Sequence, residues 1–254
     1  MPTPRSCLLL MRIAVPALAL CALVDVAPVR AVDTPTTSTS TIPTTATPGP
    51  ASSTTTIVPS TPVTMIPAKP GALFILGDSL CLGAEIFGKL STTVKATYKW
   101  SAVISDCKLG RRALDGLSIL TKTLDARSDY SGVVVALGTN DLLSRREKAY
   151  PAWIIEQMLS RAKGKPVLWV EVQYGGVHPD YVGRARRFNS ALVDAAKKYP
   201  NLSIAPWFAA YPSKTRSWER DGIHPTVSGY RTRATFLAKE IAAFATFVAS
   251  RSIR

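Results

Sequence analysis

Short apolar runs that end abruptly at glycine or a polar cluster, alternating with helical patterns of ten to twenty residues, constrain this chain more than any other feature. Ala72 to Leu76 (ALFIL) is such a run and stops at Gly77, followed after Asp78-Ser79 by a helical pattern over Leu80 to Leu90. A second, more polar strand is expected within Val94 to Ile104, then a helix over Arg111 to Leu124, with Ala113, Leu114, Leu117, Leu120 and Leu124 at helical spacing. Gly132 to Leu137 (GVVVAL) reads as a third strand and Pro166 to Val172 (PVLWVEV) as a fourth, separated by a helix over Lys148 to Ala162. A basic helix over Asp180 to Lys198, a short fifth strand Leu202 to Ala205 and a closing helix Val227 to Val248 complete the pattern. Strands that are apolar along their whole length are buried on both faces, so the order predicts a parallel sheet covered by helices on each side. In such folds the functional site lies beyond the carboxyl ends of the strands.

The N-terminal part of the chain is of another kind. Between Val32 and Lys69, 25 of 38 residues are Thr, Pro or Ser, and none is aromatic. Such a segment cannot bury enough apolar surface to offset its chain entropy, and it reads as a disordered linker over 32–69. Before it, Arg5 and Arg12 precede the apolar run Ile13 to Val24, and Val29-Arg30-Ala31 resembles a small-residue cleavage site. Twelve apolar residues suit the core of an export signal and fall short of the roughly 20 that a spanning helix needs. Residues 1–31 therefore read as a signal peptide, with an uncleaved anchor as the alternative, and the product as secreted or held in the cell envelope. Residues 70–254 remain as one domain of ordinary size.

That domain carries 27 basic and 15 acidic residues, a net charge of +12. Such a charge draws polyanions, and for an exported protein an anionic envelope polymer is the better candidate partner, with a solvated basic surface that keeps the protein soluble as the alternative. No nucleic-acid-binding motif is present, and a monomer is expected. Cys81 and Cys107 have no histidine or further cysteine at metal-ligand spacing, so neither a zinc site nor any cofactor is expected.

Three expected strand ends carry polar clusters: Gly77-Asp78-Ser79-Leu80, Gly138-Thr139-Asn140-Asp141, and, before the last helix, Asp221-Gly222-Ile223-His224. A serine at a strand-to-helix turn projects its hydroxyl above the sheet, where the helix N-terminus favours developing negative charge. It needs a base, and the domain holds only His178 and His224. Asp221, three residues before His224, is close enough on a tight turn to hold the second ring nitrogen. Each residue also has a plainer reading: Ser79 as a helix cap, Asn140 as a partner for loop backbone, Asp141 as a turn cap, and Asp221 with His224 as a surface pair. Trp207, Tyr211 and Trp218 fit either a pocket lining or core packing, and Gly83 and Gly116 read as packing glycines.

The three clusters, in this order and spacing across residues 71–245, resemble the SGNH (GDSL) hydrolases: the GDSL block, the GxND block and the DxxH block. The resemblance implies a three-layer α/β/α sandwich with a five-stranded parallel flavodoxin-like sheet and metal-free serine esterase or acyltransferase chemistry. It assigns Ser79 as nucleophile, His224 as base and Asp221 as the residue orienting His224. It further implies an oxyanion hole from the N–H groups of Ser79 and Gly110 and the side chain of Asn140. Leu109 to Leu120 is similar to the corresponding segment of extracytoplasmic SGNH domains of cell-wall O-acetyltransferases, which tend to have Gly where this chain has Asp141. Because the family fold sets the two loops side by side, Cys81 and Cys107 are expected to form a disulfide, with two buried free thiols as the alternative. The function so implied is a secreted serine esterase acting on an acylated small molecule or glycan. An O-acyltransferase using a glycan hydroxyl, or a non-catalytic envelope-binding module, are the alternatives.

Overall fold

The six residues of β1 (Ala72–Gly77) are all buried, as their uniformly apolar side chains require. In the computed structural model, which describes residues 69–251, β1 pairs in parallel with β2 (Ala102–Cys107) on one side and β3 (Tyr130–Ala136) on the other. Beyond β3 follow β4 (Val167–Val170) and β5 (Leu202–Ala205), giving a five-stranded all-parallel sheet in the order β2-β1-β3-β4-β5. This is the flavodoxin-like order. Gly77 stands level with Cys107 and Ala136, so three strands end at one height and their following loops meet there.

Side-chain alternation divides the core in two. Leu73 and Ile75 of β1 and Val134 of β3 face α1 (Ser79–Gly88), α2 (Leu90–Ala96) and α8 (Val227–Arg251). Phe74, Leu76, Val133 and Val135 face the opposite layer, formed by α3 (Ala113–Ala126), α5 (Tyr150–Arg161) and α6 (Pro179–Lys198). The expected sandwich is thus present, with the SGNH topology.

Local differences have local causes. The second strand, expected within Val94 to Ile104, runs from Ala102 to Cys107, and Val94 itself lies in α2, where it and Leu90 are fully buried. The β-branched run Thr92-Thr93-Val94 has strand propensity, and burial of the Leu90/Val94 stripe overrides it. The helix expected over Leu80 to Leu90 breaks at Lys89, which takes left-handed backbone (φ 51°) between α1 and α2. Two short helices, α4 (Thr139–Ser144) and α7 (Trp207–Ala210), are too brief to show a helical period. The expected signal peptide 1–31 and the expected linker 32–69 lie outside the described residues, apart from Lys69. Among the described residues no helix is long and apolar enough to cross a membrane.

Candidate active site

Ser79 opens α1 directly beyond β1. The cap of that helix is Asp78, whose carboxylate accepts the Leu80 N–H at 2.9 Å, so Ser79 is spared that duty. The Ser79 hydroxyl lies 3.0 Å from His224 Nε2. His224 comes from the loop before α8, shaped by an aspartate turn: Asp221 Oδ1 accepts the N–H groups of Ile223 (2.9 Å) and His224 (3.0 Å). Its second oxygen, Oδ2, lies 2.7 Å from His224 Nδ1. Gly222 permits this turn with φ +62°, and a Cβ there would stand 2.2 Å from Val177. The loop is pinned from outside by Gly175 N–H to Gly222 O (2.7 Å) and Glu219 N–H to His224 O (2.8 Å).

The carboxylate at Nδ1 keeps the proton on that nitrogen and leaves Nε2 as the acceptor facing the Ser79 hydroxyl. Burial raises the Asp221 pKa, but the hydrogen bonds from the His224 ring and from the His224 and Ile223 backbone outweigh it, and the carboxyl sits below its ordinary value. The arrangement is able to move a proton from hydroxyl to imidazole while the imidazolium is held by a carboxylate. The hydroxyl side is sheltered and the imidazole side is open: Ser79 is 7 % exposed, whereas the His224 and Asp221 side chains are 37 % and 46 % exposed.

Asn140 follows Gly138 (φ +124°) at the start of α4. Its Nδ2 donates to Arg111 O at 3.1 Å and to Asp78 Oδ2 at 3.4 Å, so it does bind loop backbone while also reaching the residue beside Ser79. Gly110 takes φ +68° in the turn closed by Arg111 N–H to Lys108 O, and the space where its Cβ would stand is open. That turn is tied to the nucleophile strand by Lys108 N–H to Gly77 O (3.1 Å) and by a Cys81–Cys107 disulfide with a Cα–Cα distance of 5.5 Å. Asp141 serves as a cap across elements rather than within its own turn. Its Oδ2 accepts the Ala113 N–H at the start of α3 (2.8 Å), and its Oδ1 accepts the Tyr150 hydroxyl. Burial raises its pKa.

His178 stands apart from this chain of contacts, beside Gly222 and against the Tyr181 ring. Of the two readings for the aromatics, packing holds for Trp207 and Tyr211, which are buried and stacked at 4.4 Å; Trp218 is partly buried against the same cluster. Gly83 and Gly116 are packing glycines, set against Tyr230 and Leu137. Three residues escaped the sequence reading. Asp78 is wholly buried, and desolvation, partly offset by Arg233, raises its pKa to about 6. Arg233 is 2 % exposed and packs over Trp207; burial lowers its pKa to about 10. Arg111 is also buried, and the one signal for it in the sequence is the carboxylate of Asp106 five residues earlier. Among the described residues no group of three or more His, Cys, Asp or Glu is placed to hold a metal ion.

A flavodoxin-like sheet with a hydroxyl, an imidazole and a carboxylate in line at its carboxyl edge defines a class, the α/β/α enzymes that cleave or transfer ester-linked acyl groups. Within it the chain belongs to the GDSL-like Lipase/Acylhydrolase family, whose profile matches residues 75–232. It is 25% identical over 142 residues to the O-acetyltransferase OatA of Staphylococcus aureus, a match covering 56% of this chain and 21% of that protein. The chain thus spans about a fifth of the length of the curated relatives it matches. Among solved structures, a lipase/acylhydrolase from Enterococcus faecalis superposes with TM-score 0.57 at 22% identity, over 68% of this chain and 95% of that one. The C-terminal catalytic domain of Streptococcus pneumoniae peptidoglycan O-acetyltransferase A, carrying a methylsulfonyl adduct, gives TM-score 0.57 at 16% identity, over 72% and 97%.

Proposed function

We propose that the protein is an exported serine esterase that removes short acyl groups from a cell-envelope glycan, with Ser79 as nucleophile, His224 as base and Asp221 as the residue orienting it. The observation that carries this reading is the continuous line Ser79 Oγ–His224 Nε2–His224 Nδ1–Asp221 Oδ2, at 3.0 and 2.7 Å. Ser79 Oγ attacks the ester carbonyl as His224 Nε2 takes its proton. The resulting oxyanion is held by the N–H groups of Ser79 and Gly110 and by Asn140 Nδ2. Collapse expels the alcohol, which receives the proton from His224, and leaves an acyl-serine. Water, deprotonated by His224, attacks that ester and frees the acid and Ser79.

The open flank formed by His224 and Asp221 favours an ester carried on a bulky polymer. The +12 charge over 70–254 favours an anionic one. An export signal at 1–31 and a Thr/Pro/Ser-rich linker at 32–69 would deliver the domain to that polymer. A second reading, O-acyl transfer in which a glycan hydroxyl replaces water, is favoured by the similarity to two O-acetyltransferases.

A panel of p-nitrophenyl esters of rising chain length, with and without a glycan acceptor, separates the two. Hydrolysis should be fastest with acetate, and acylated acceptor would mark transfer. Ser79→Ala and His224→Ala should each lower kcat by about 10³-fold or more with the fold intact. More than a tenth of wild-type activity in Ser79→Ala would exclude it as nucleophile.

A further inference from the structure

Arg111 touches three of the loops that meet at the site. Its guanidinium, with a side chain only 5 % exposed, donates through Nη1 to Gly77 O (3.1 Å) and Asp106 O, and through Nη2 to Asp106 Oδ1 (2.6 Å). Gly77 ends the nucleophile strand two residues before Ser79, and Asp106 is the penultimate residue of β2. The backbone of Arg111 closes the turn that carries Gly110, and its carbonyl accepts from Asn140 Nδ2 at 3.1 Å.

We infer that Arg111 is the positioning residue of the oxyanion hole: its side chain clamps the Gly110 turn to the nucleophile strand, and its backbone carbonyl sets the direction of the Asn140 amide. The inference rests on the reading of Ser79 as nucleophile. Two features make it more than a stabilising contact. A backbone turn at Gly110 has φ freedom, and nothing packs where a Cβ would be, so its N–H direction is not set by its own side chain. The two Asn140 amide hydrogens are also unequally held. One is spent on Arg111 O at 3.1 Å, and the other faces Asp78 Oδ2 at a long 3.4 Å. The strongly held hydrogen fixes the plane of the amide and with it the direction of the second, whose long contact to Asp78 Oδ2 leaves it the hydrogen available to an oxyanion. Arg111 suits this task where lysine does not. Its planar fork reaches two strand-end carbonyls and a carboxylate together, whereas an ammonium on a flexible stem has no such fixed geometry.

The test compares wild type, Arg111→Lys, Asn140→Ala and the double variant on p-nitrophenyl acetate, with urea unfolding in parallel. Arg111→Lys should lower kcat by about 10²-fold, the cost of donors misplaced by about an ångström, with KM within about twofold. In the Asn140→Ala background the same change should cost less than about tenfold, because of the two donors it positions only the Gly110 N–H is left. Equal losses in both backgrounds would overturn the proposal and leave Arg111 a purely structural clamp. If Arg111→Lys does not fold, Asp106→Asn takes its place: a kcat loss that shrinks in the Asn140→Ala background supports the proposal, and an additive one overturns it. Labelling of wild-type Ser79 by a sulfonyl fluoride tests the nucleophile reading on its own. Should that labelling fail, the side-chain amide ¹⁵N–¹H signals of Asn140 decide the matter without activity. Signals displaced by Arg111→Lys support the positioning role, and unmoved ones refute it.

Discussion

Opening the Cys81–Cys107 bridge should weaken the fold by an amount set by the chain it closes. The two cysteines are 26 positions apart. On the chain-entropy model, freeing a loop of that length returns about 12 cal/mol/K to the unfolded chain, or about 3.5 kcal/mol at 25 °C. For a domain of this size that corresponds to a fall in Tm of about 7–14 °C. Wild type refolded with and without reductant is the cleanest comparison, because Cys81 is fully buried and the thiol form keeps its volume; an alanine pair would add a cavity cost. Urea unfolding should show a lower midpoint together with a steeper slope, since a chain without the cross-link exposes more surface when it unfolds. A loss under about 1 kcal/mol with unchanged slope would refute the entropic account. Alkylation with mass analysis on the same samples counts the thiols.

Asp78 has its pKa raised from 3.8 to about 6, so the folded protein holds this proton more tightly than the unfolded chain does. Its contribution is present at acid pH and lost as pH rises through about 6, so the stability of wild type relative to Asp78→Asn should fall between those values, measured by urea midpoints. A flat difference would refute the burial argument. Asn189→Leu strips the two bonds, each 2.9 Å, that its side chain makes to the N–H and C=O of Val172. With both groups left buried and unpaired it should cost about 2–4 kcal/mol. Gly222→Ala forces a side chain into a left-handed position against Val177, and should lower kcat by displacing the Asp221–His224 turn. Circular dichroism would show the rest of the fold retained.

The strands were readable wherever burial on both faces left an unbroken apolar run, as in Ala72 to Leu76 and Gly132 to Leu137. Val94 misled because β-branched residues suit both a strand and a buried helix stripe, and only α8 decides which. The polar clusters were legible for a different reason. Each of Ser79, Asn140 and His224 has a plainer use by itself, but three such clusters in order along the chain point to one site. The burial of Arg111, Asp78 and Arg233 was not legible, because what buries each of them includes elements distant in sequence. The Arg111 guanidinium meets Gly77 34 positions away, and no local pattern separates it from its neighbour Arg112, which is exposed. The disulfide came from the resemblance and not from spacing.

The helix pair α1 and α8 also bears on when the site comes into being. Asp221 and His224 are three residues apart and can meet as soon as their turn forms, but Ser79 and His224 are separated by 145 positions. What closes that distance is the docking of α8 on α1, where Gly83 and Gly88 admit Tyr230 and Ala234. A pairing of such long range is among the costliest in loop entropy, and on that ground it is expected to form late in folding. A chain whose sheet is complete but whose last helix has not docked therefore carries an exposed serine with no base. On the proposed chemistry, esterolysis during refolding would lag the return of sheet structure. The enzyme would act as its own clock for the final packing step.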